Sequence, residues 1–144
     1  MLYVRQGDKY VLRFEDGEIF PDRLLEFIGA ERINAASLTG IGAMQRVSIT
    51  YYDMEVKTYL PDQDFDEQLE VLSLTGNVAV YDGEPLVHAH VTLGRRDYTV
   101  IGGHLRHGIV CPTLEVVLTV LPEPIERTMD PVYELPGLDL RNRF

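Results

Sequence analysis

Leu86 to Glu115 reads LVHAHVTLGRRDYTVIGGHLRHGIVCPTLE, and the pairing within this stretch decides the fold. It holds all four histidines of the chain, His88, His90, His104 and His107. His88 and His90 stand two apart in a run rich in β-branched residues, so a strand puts both on one face, about 7 Å apart at their Cα atoms. Gly94-Arg95-Arg96-Asp97 signals a hairpin turn, and Tyr98 to Leu105 reads as the returning strand. A three-residue loop, Arg95 to Asp97, sets His88 directly opposite His104. One face then carries Val87, Ala89, Val91, Leu93, Thr99, Ile101, Gly103 and Leu105, and the other carries His88, His90, Thr92, Val100, Gly102 and His104. A one-residue slip would carry His104 and Gly102 onto the apolar face, so the pattern selects a register that gathers three imidazoles.

Directly paired Cβ atoms lie about 5 Å apart, close enough for three rings to share one metal ion or to anchor a small ligand. A structural histidine cluster is the competing interpretation, since an HxH pair alone is a weak signal. His107 follows the hairpin beside Gly108 and is expected at the surface or behind the ligands. Competition by protons predicts that metal is lost as pH falls through about 6, the ordinary histidine range.

The chain of 144 residues is long enough for one domain, 1–144, with a core from about residue 10 to 121 and an extended tail from 122 to 144. A hydrophobic fraction of 45% and a charged fraction of 25% are those of an ordinary globular protein. No apolar run is long enough to span a membrane as a helix, and the N-terminus MLYVRQGDKY reads as a first strand rather than a signal peptide. The one cysteine, Cys111, excludes an internal disulfide and fits a reducing cytoplasm. The formal charge of −10 and the scattered basic residues (Arg95 and Arg96 in one turn, Arg141 and Arg143 in the tail) disfavour direct DNA binding, which needs cations to displace counterions.

Outward from the histidine stretch, Tyr3 to Arg5 and Tyr10 to Phe14 read as strands about a Gly7-Asp8 turn. Pro21 opens the main helix, with Leu24, Leu25, Phe27 and Ile28 at helical spacing and Gly29 near its end. Asn34 to Ala43 (NAASLTGIGA) is small and glycine-rich. It meets neither nucleotide fingerprint, so close backbone packing is expected rather than a phosphate cradle. Val47 to Tyr52, Val56 to Leu60 and Leu69 to Val80 are further strands, Pro61 to Glu67 is an acidic solvated loop, and Thr113 to Leu121 closes the core. Glu115 falls on the polar face of that last strand. Beside the histidines it would ligate, orient an imidazole or act as a general base; otherwise it pairs with Arg106 or caps the strand end. The proline-rich tail is expected to lie extended, anchored by Leu138, Leu140 and Phe144.

The ordered set SLTGIGA, LEVLSLTGN, HAH, GGHL and TLEV resembles the PPC domain (plants and prokaryotes conserved) in its free-standing prokaryotic form, over roughly Tyr10 to Leu121. The resemblance implies an α+β fold, a mostly antiparallel sheet with one main helix, assembled as a homotrimer. In plant relatives the domain follows AT-hook segments that bind the DNA minor groove; the Arg-Gly-Arg-Pro core of that segment is absent here. Plant versions also lack this histidine arrangement, so the family supplies no role for it. Three functions follow. The first is a trimeric binding or assembly module holding zinc or another divalent transition metal on His88, His90 and His104, with a protein partner or small ligand at that site. The second is a metal-dependent enzyme acting on a small molecule, with metal-bound water as nucleophile and Glu115 as base. The third is a DNA-associated regulator that works through a partner chain. The enzyme and the module differ in one observation: an enzyme needs a cavity of several hundred cubic ångströms beside the metal, whereas a structural site is closed.

Overall fold

The structure is a computed structural model, in which residues 1–141 are described. Period-two alternation of apolar residues builds almost all of it. β1 (Leu2–Gln6) and β2 (Lys9–Glu15) form a hairpin through Gly7, whose φ of 62° suits the turn. β2 alternates strictly, with Tyr10, Leu12 and Phe14 buried. After the short β3 (Ile19–Phe20) comes α1 (Asp22–Glu31), which packs Leu24, Phe27 and Ile28 into the core. Pro21 sits at its N-cap, and Arg32, in the left-handed region, ends it as the N–H groups of Arg32 and Ile33 reach the carbonyls of Gly29 and Ile28.

The remaining strands are β4 (Ala36–Thr50), β5 (Tyr52–Asp53), β6 (Thr58–Tyr59), β7 (Gln63–Phe65), β8 (Leu69–Tyr81), β9 (Glu84–Gly94), β10 (Val100–Val120), β11 (Glu126–Met129) and β12 (Pro136–Asp139). The main path runs β1-β2-β10-β4-β8-β11-β12, and β9 pairs with both β10 and β8. The long strands β4, β8, β9 and β10 therefore close on one another in a ring. Among the described residues every pairing is antiparallel except the single bridge between Glu126 of β11 and Val80 of β8. The expected mostly antiparallel sheet with one main helix is present, and the helix, ten residues long, is the one helix among the described residues of a β-dominated fold.

The small-residue run of β4 lies where two backbones approach. A Cβ on Gly40 would stand 2.8 Å from the Glu115 carbonyl oxygen, and one on Gly42 would stand 2.3 Å from that of Thr113. Close packing against β10 is the reason for the glycines. Three expectations change. The strands read at Tyr98–Leu105 and Thr113–Leu121 are one strand, β10, 21 residues long, because register shifts between Val110 and Leu114 absorb the missing donor of Pro112. The acidic loop contributes β7, paired with β4 through Val47, Ser48 and Ile49. The tail folds back as the β11–β12 hairpin, which buries Arg127; Arg143 and Phe144 lie outside the described residues.

Candidate metal centre and cavity

β8 turns into β9 through Asp82 and Gly83, both at positive φ (51° and 84°), the conformation a two-residue hairpin demands. The β9–β10 connection is longer than the sequence suggested. Asp97 Oδ1 accepts from the Thr99 N–H (3.0 Å) and hydroxyl (2.6 Å), Tyr98 takes a φ of 66°, and the Arg95 N–H donates to the Thr99 carbonyl. This Asx-type closure pairs Gly94 with Val100 and sets His104 opposite His90, not His88. The register differs from the expected one by two residues. An even shift keeps every side chain on its face, so the three histidines still converge.

Their geometry is compact. His88 Nε2 lies 3.2 Å from His90 Nε2, and the ring centroids are 5.1 Å (His88–His90), 5.2 Å (His88–His104) and 5.5 Å (His90–His104) apart. One ring nitrogen from each residue can be chosen so that all three fall within 4.8 Å of one another. Tetrahedral zinc with Zn–N bonds near 2.0–2.1 Å holds its ligand nitrogens about 3.3 Å apart, a spacing the His88–His90 pair already has. The neighbouring core-face residues Ala89 and Val91 are buried, which fixes β9 and aims its histidines the other way.

The surroundings keep the His88 and His104 rings neutral. Burial is the largest cause pushing the His104 imidazole down to about 4, followed by His88 and Arg106 beside it. The His88 imidazole is lowered by burial, then by Arg127 and His90. Neutral imidazoles offer free lone pairs, as metal binding requires.

A roof of aromatic and basic residues covers the cluster. Tyr59 of β6 lies 5.0 Å from the His104 ring and 5.1 Å from Tyr52, centroid to centroid. The Arg106 guanidinium stacks 4.3 Å over Tyr59 and donates from Nε to Asp62 at 3.1 Å. The Tyr52 hydroxyl donates to the Tyr133 carbonyl and ties the β5–β6 hairpin to the tail. Between roof and sheet lies a cavity of about 740 Å³, bordered by His88, His90 and His104 and walled by Tyr52, Met54, Leu86 and Leu135. No aspartate or glutamate lines it among the described residues.

Two sequence candidates lie elsewhere. Glu115 is exposed, paired with Arg13 on β2 and Ile41 on β4, roughly 30 Å of strand beyond His104, so it cannot serve the histidine site within one chain. Arg106 pairs with Asp62 instead of Glu115. His107 is exposed opposite Ser48 and stays outside the cluster, as expected. Cys111 has its thiol pushed up by a hydrogen bond to Asp16 and then by burial, against a nucleophilic role. Two contributors were missed. Arg127 is in a tail whose prolines hid its strand, and Asn77, which accepts from it, is directly opposite His88.

The comparisons with known proteins agree with this architecture. The family model described as Plants and Prokaryotes Conserved (PCC) domain matches residues 1–122. Among solved structures, the chain is similar to a candidate DNA-binding protein from Bacteroides thetaiotaomicron (31% identity, 96% of each chain covered, TM-score 0.92). It is also similar to a plant- and prokaryote-conserved protein from Pyrococcus horikoshii (34% identity, 96% of this chain and 94% of that one, TM-score 0.84). A metal-containing protein from Archaeoglobus fulgidus matches at 35% identity, with 96% of this chain and 98% of that one covered and a TM-score of 0.84. No curated protein sequence matches the chain. No helix among the described residues is long and apolar enough to cross a membrane. With its ordered motifs, its sheet and a model match over most of its length, the chain belongs to the Plants and Prokaryotes Conserved domain family, abbreviated PCC or PPC.

Proposed function

We propose that this protein is a homotrimeric PPC-domain protein, one domain over 1–144, that holds a transition metal, zinc foremost, on His88, His90 and His104 as an open ligand-binding site. The observation that carries the proposal is the convergence of three imidazole nitrogens within 4.8 Å at the wall of a cavity of about 740 Å³. A structural zinc takes four protein ligands and is closed, whereas three histidines beside open space leave room for a small ligand. Imidazole ligands suit zinc among the first-row metals, and the metal-containing Archaeoglobus relative supports the same interpretation. A bound zinc ion would polarise an oxygen donor as a Lewis acid. Tyr52 and Tyr59 cover one side of the site, and Arg106 and Asp62 fix that roof. The enzymatic alternative keeps the cavity and loses its proposed base, because Glu115 lies far along β10.

Zinc titration of chelator-stripped protein against a chromogenic competitor tests this directly. Uptake saturating at one ion per chain is expected; no uptake in competition with the chelator refutes it.

The trimer has support on the sheet surface. Val4, Val11 and Val117 are directly paired across β1, β2 and β10, yet all are exposed, and Ile41 is 59% exposed nearby. Contiguous apolar surface of this kind suits a subunit interface. Light scattering at micromolar concentration is expected to give three times the chain mass; a monomer mass refutes the assembly. A charge of −10 leaves little to hold duplex DNA, so any DNA role acts through a partner, in the cytoplasm to which a lone cysteine is suited.

A further inference from the structure

Arg127 is the least expected charge in the protein. It is only 7% exposed, and it lines the histidine cavity from the β11–β12 hairpin. Its Nη1 donates to the Pro136 carbonyl at 2.8 Å and its Nη2 to Asn77 Oδ1. Both acceptors are neutral. Its Nε is buried and has no hydrogen-bond partner among the described residues, and none of the described ion pairs includes it. A buried guanidinium without a carboxylate is costly, and an anion received there would offset that cost. The second guanidinium of the cavity, Arg106, is already held by Asp62.

The cavity shares this bias. In a chain with 23 acidic residues against 13 Lys and Arg, its lining has two arginines and three histidines and no acid. Its other walls are apolar or aromatic, among them Leu86, Val87, Leu135 and Tyr52.

We infer that the cavity binds a small organic acid with an apolar body, whose carboxylate is received by Arg127. A carboxylate fits better than a phosphate. One guanidinium with no acidic partner matches a single negative charge, while a phosphate dianion would need further donors that Arg106 cannot spare. The inference deepens the ligand-site proposal by naming the ligand class, and it does not depend on the metal.

The test is calorimetric titration of chelator-stripped wild-type protein, whose site holds no zinc to capture a carboxylate, with 3-phenylpropanoate, its uncharged amide 3-phenylpropanamide, and benzyl phosphate. The acid is expected to bind with a dissociation constant of about 1 mM or tighter, and the amide and phosphate about tenfold or more weakly. Arg127→Gln should abolish the preference for acid over amide. Because these probes compare ligands on unaltered protein, the test survives if Arg127→Gln fails to fold. Equal affinity for acid and amide, stronger binding of the phosphate, or binding of none of them at roughly 10 mM would overturn the inference. Failure of the metal proposal reads differently: the stripped protein takes up no zinc, while acid-over-amide selectivity persists.

Discussion

The His104→Ala protein is expected to lose zinc affinity by about a hundredfold or more while keeping its fold. Each ligand of a three-histidine site contributes a large share of the binding free energy, and two imidazoles of β9 alone make a weak, labile site. His104 is half-buried and points away from the core, where Leu105 is packed instead, so the metal-free variant should melt within about 3 °C of metal-free wild type. His107→Ala is the control: that ring is exposed and outside the cluster, and its zinc affinity should be unchanged. The comparison is made by chelator competition and thermal melting. Equal affinity in wild type and His104→Ala contradicts the metal site. The pH of release follows from the same electrostatics. A histidine whose pKa is depressed stays neutral, and competent as a ligand, to lower pH than usual. With the His104 imidazole at about 4 and that of His88 also lowered, zinc should remain bound at pH 6 and leave only as pH falls toward 4. The sequence alone placed release near 6; burial and the neighbouring arginines move it down.

Gly76→Ala is expected to destabilise the protein by about 2–4 kcal/mol and to weaken zinc binding without touching a ligand. A Cβ at Gly76 would stand 2.3 Å from the His88 carbonyl oxygen and 2.9 Å from the Ala89 Cα. Both obstacles are backbone, so β8 and β9 must part at the residues that carry the metal ligands. Ala89 pairs with Gly76 directly, between His88 opposite Asn77 and His90 opposite Thr75. Urea unfolding of the stripped protein gives the stability loss, and chelator competition gives the coupled loss of affinity. Gly29→Ala serves as the contrast. It lies in α1 with nothing within 4 Å of a new Cβ, so alanine there should be neutral or stabilising by up to about 1 kcal/mol. A Gly76→Ala protein with wild-type stability would contradict the close approach of β8 and β9.

The histidine site was legible because its signal is local and periodic. The alternation about His88, His90 and His104 fixes a face, and a face survives any even error in register. The loop length did not carry through, because the Asp97–Thr99 hydrogen bonds that lengthen it compete closely with a tighter turn. The glycines of β4 were legible as close packing, though their partner, the β10 backbone at Thr113 and Glu115, depends on long-range pairing. Glu115 was misplaced for that reason: period-two patterning tells which face a residue occupies and says nothing of how far along a 21-residue strand it stands. Arg127 left no trace in the pattern. Its burial arises from a hairpin docked by tertiary contacts to Asn77, between prolines that argued for an extended chain.

The most direct measurement is an anomalous difference map at the zinc absorption edge, from crystals of untagged protein grown with equimolar zinc. The account predicts one strong peak per chain, bounded by a ring nitrogen of each of His88, His90 and His104 at about 2.1 Å, with open cavity on its remaining side. Crystals that show no peak there, or a peak held by other residues while the three imidazoles point apart, would contradict it.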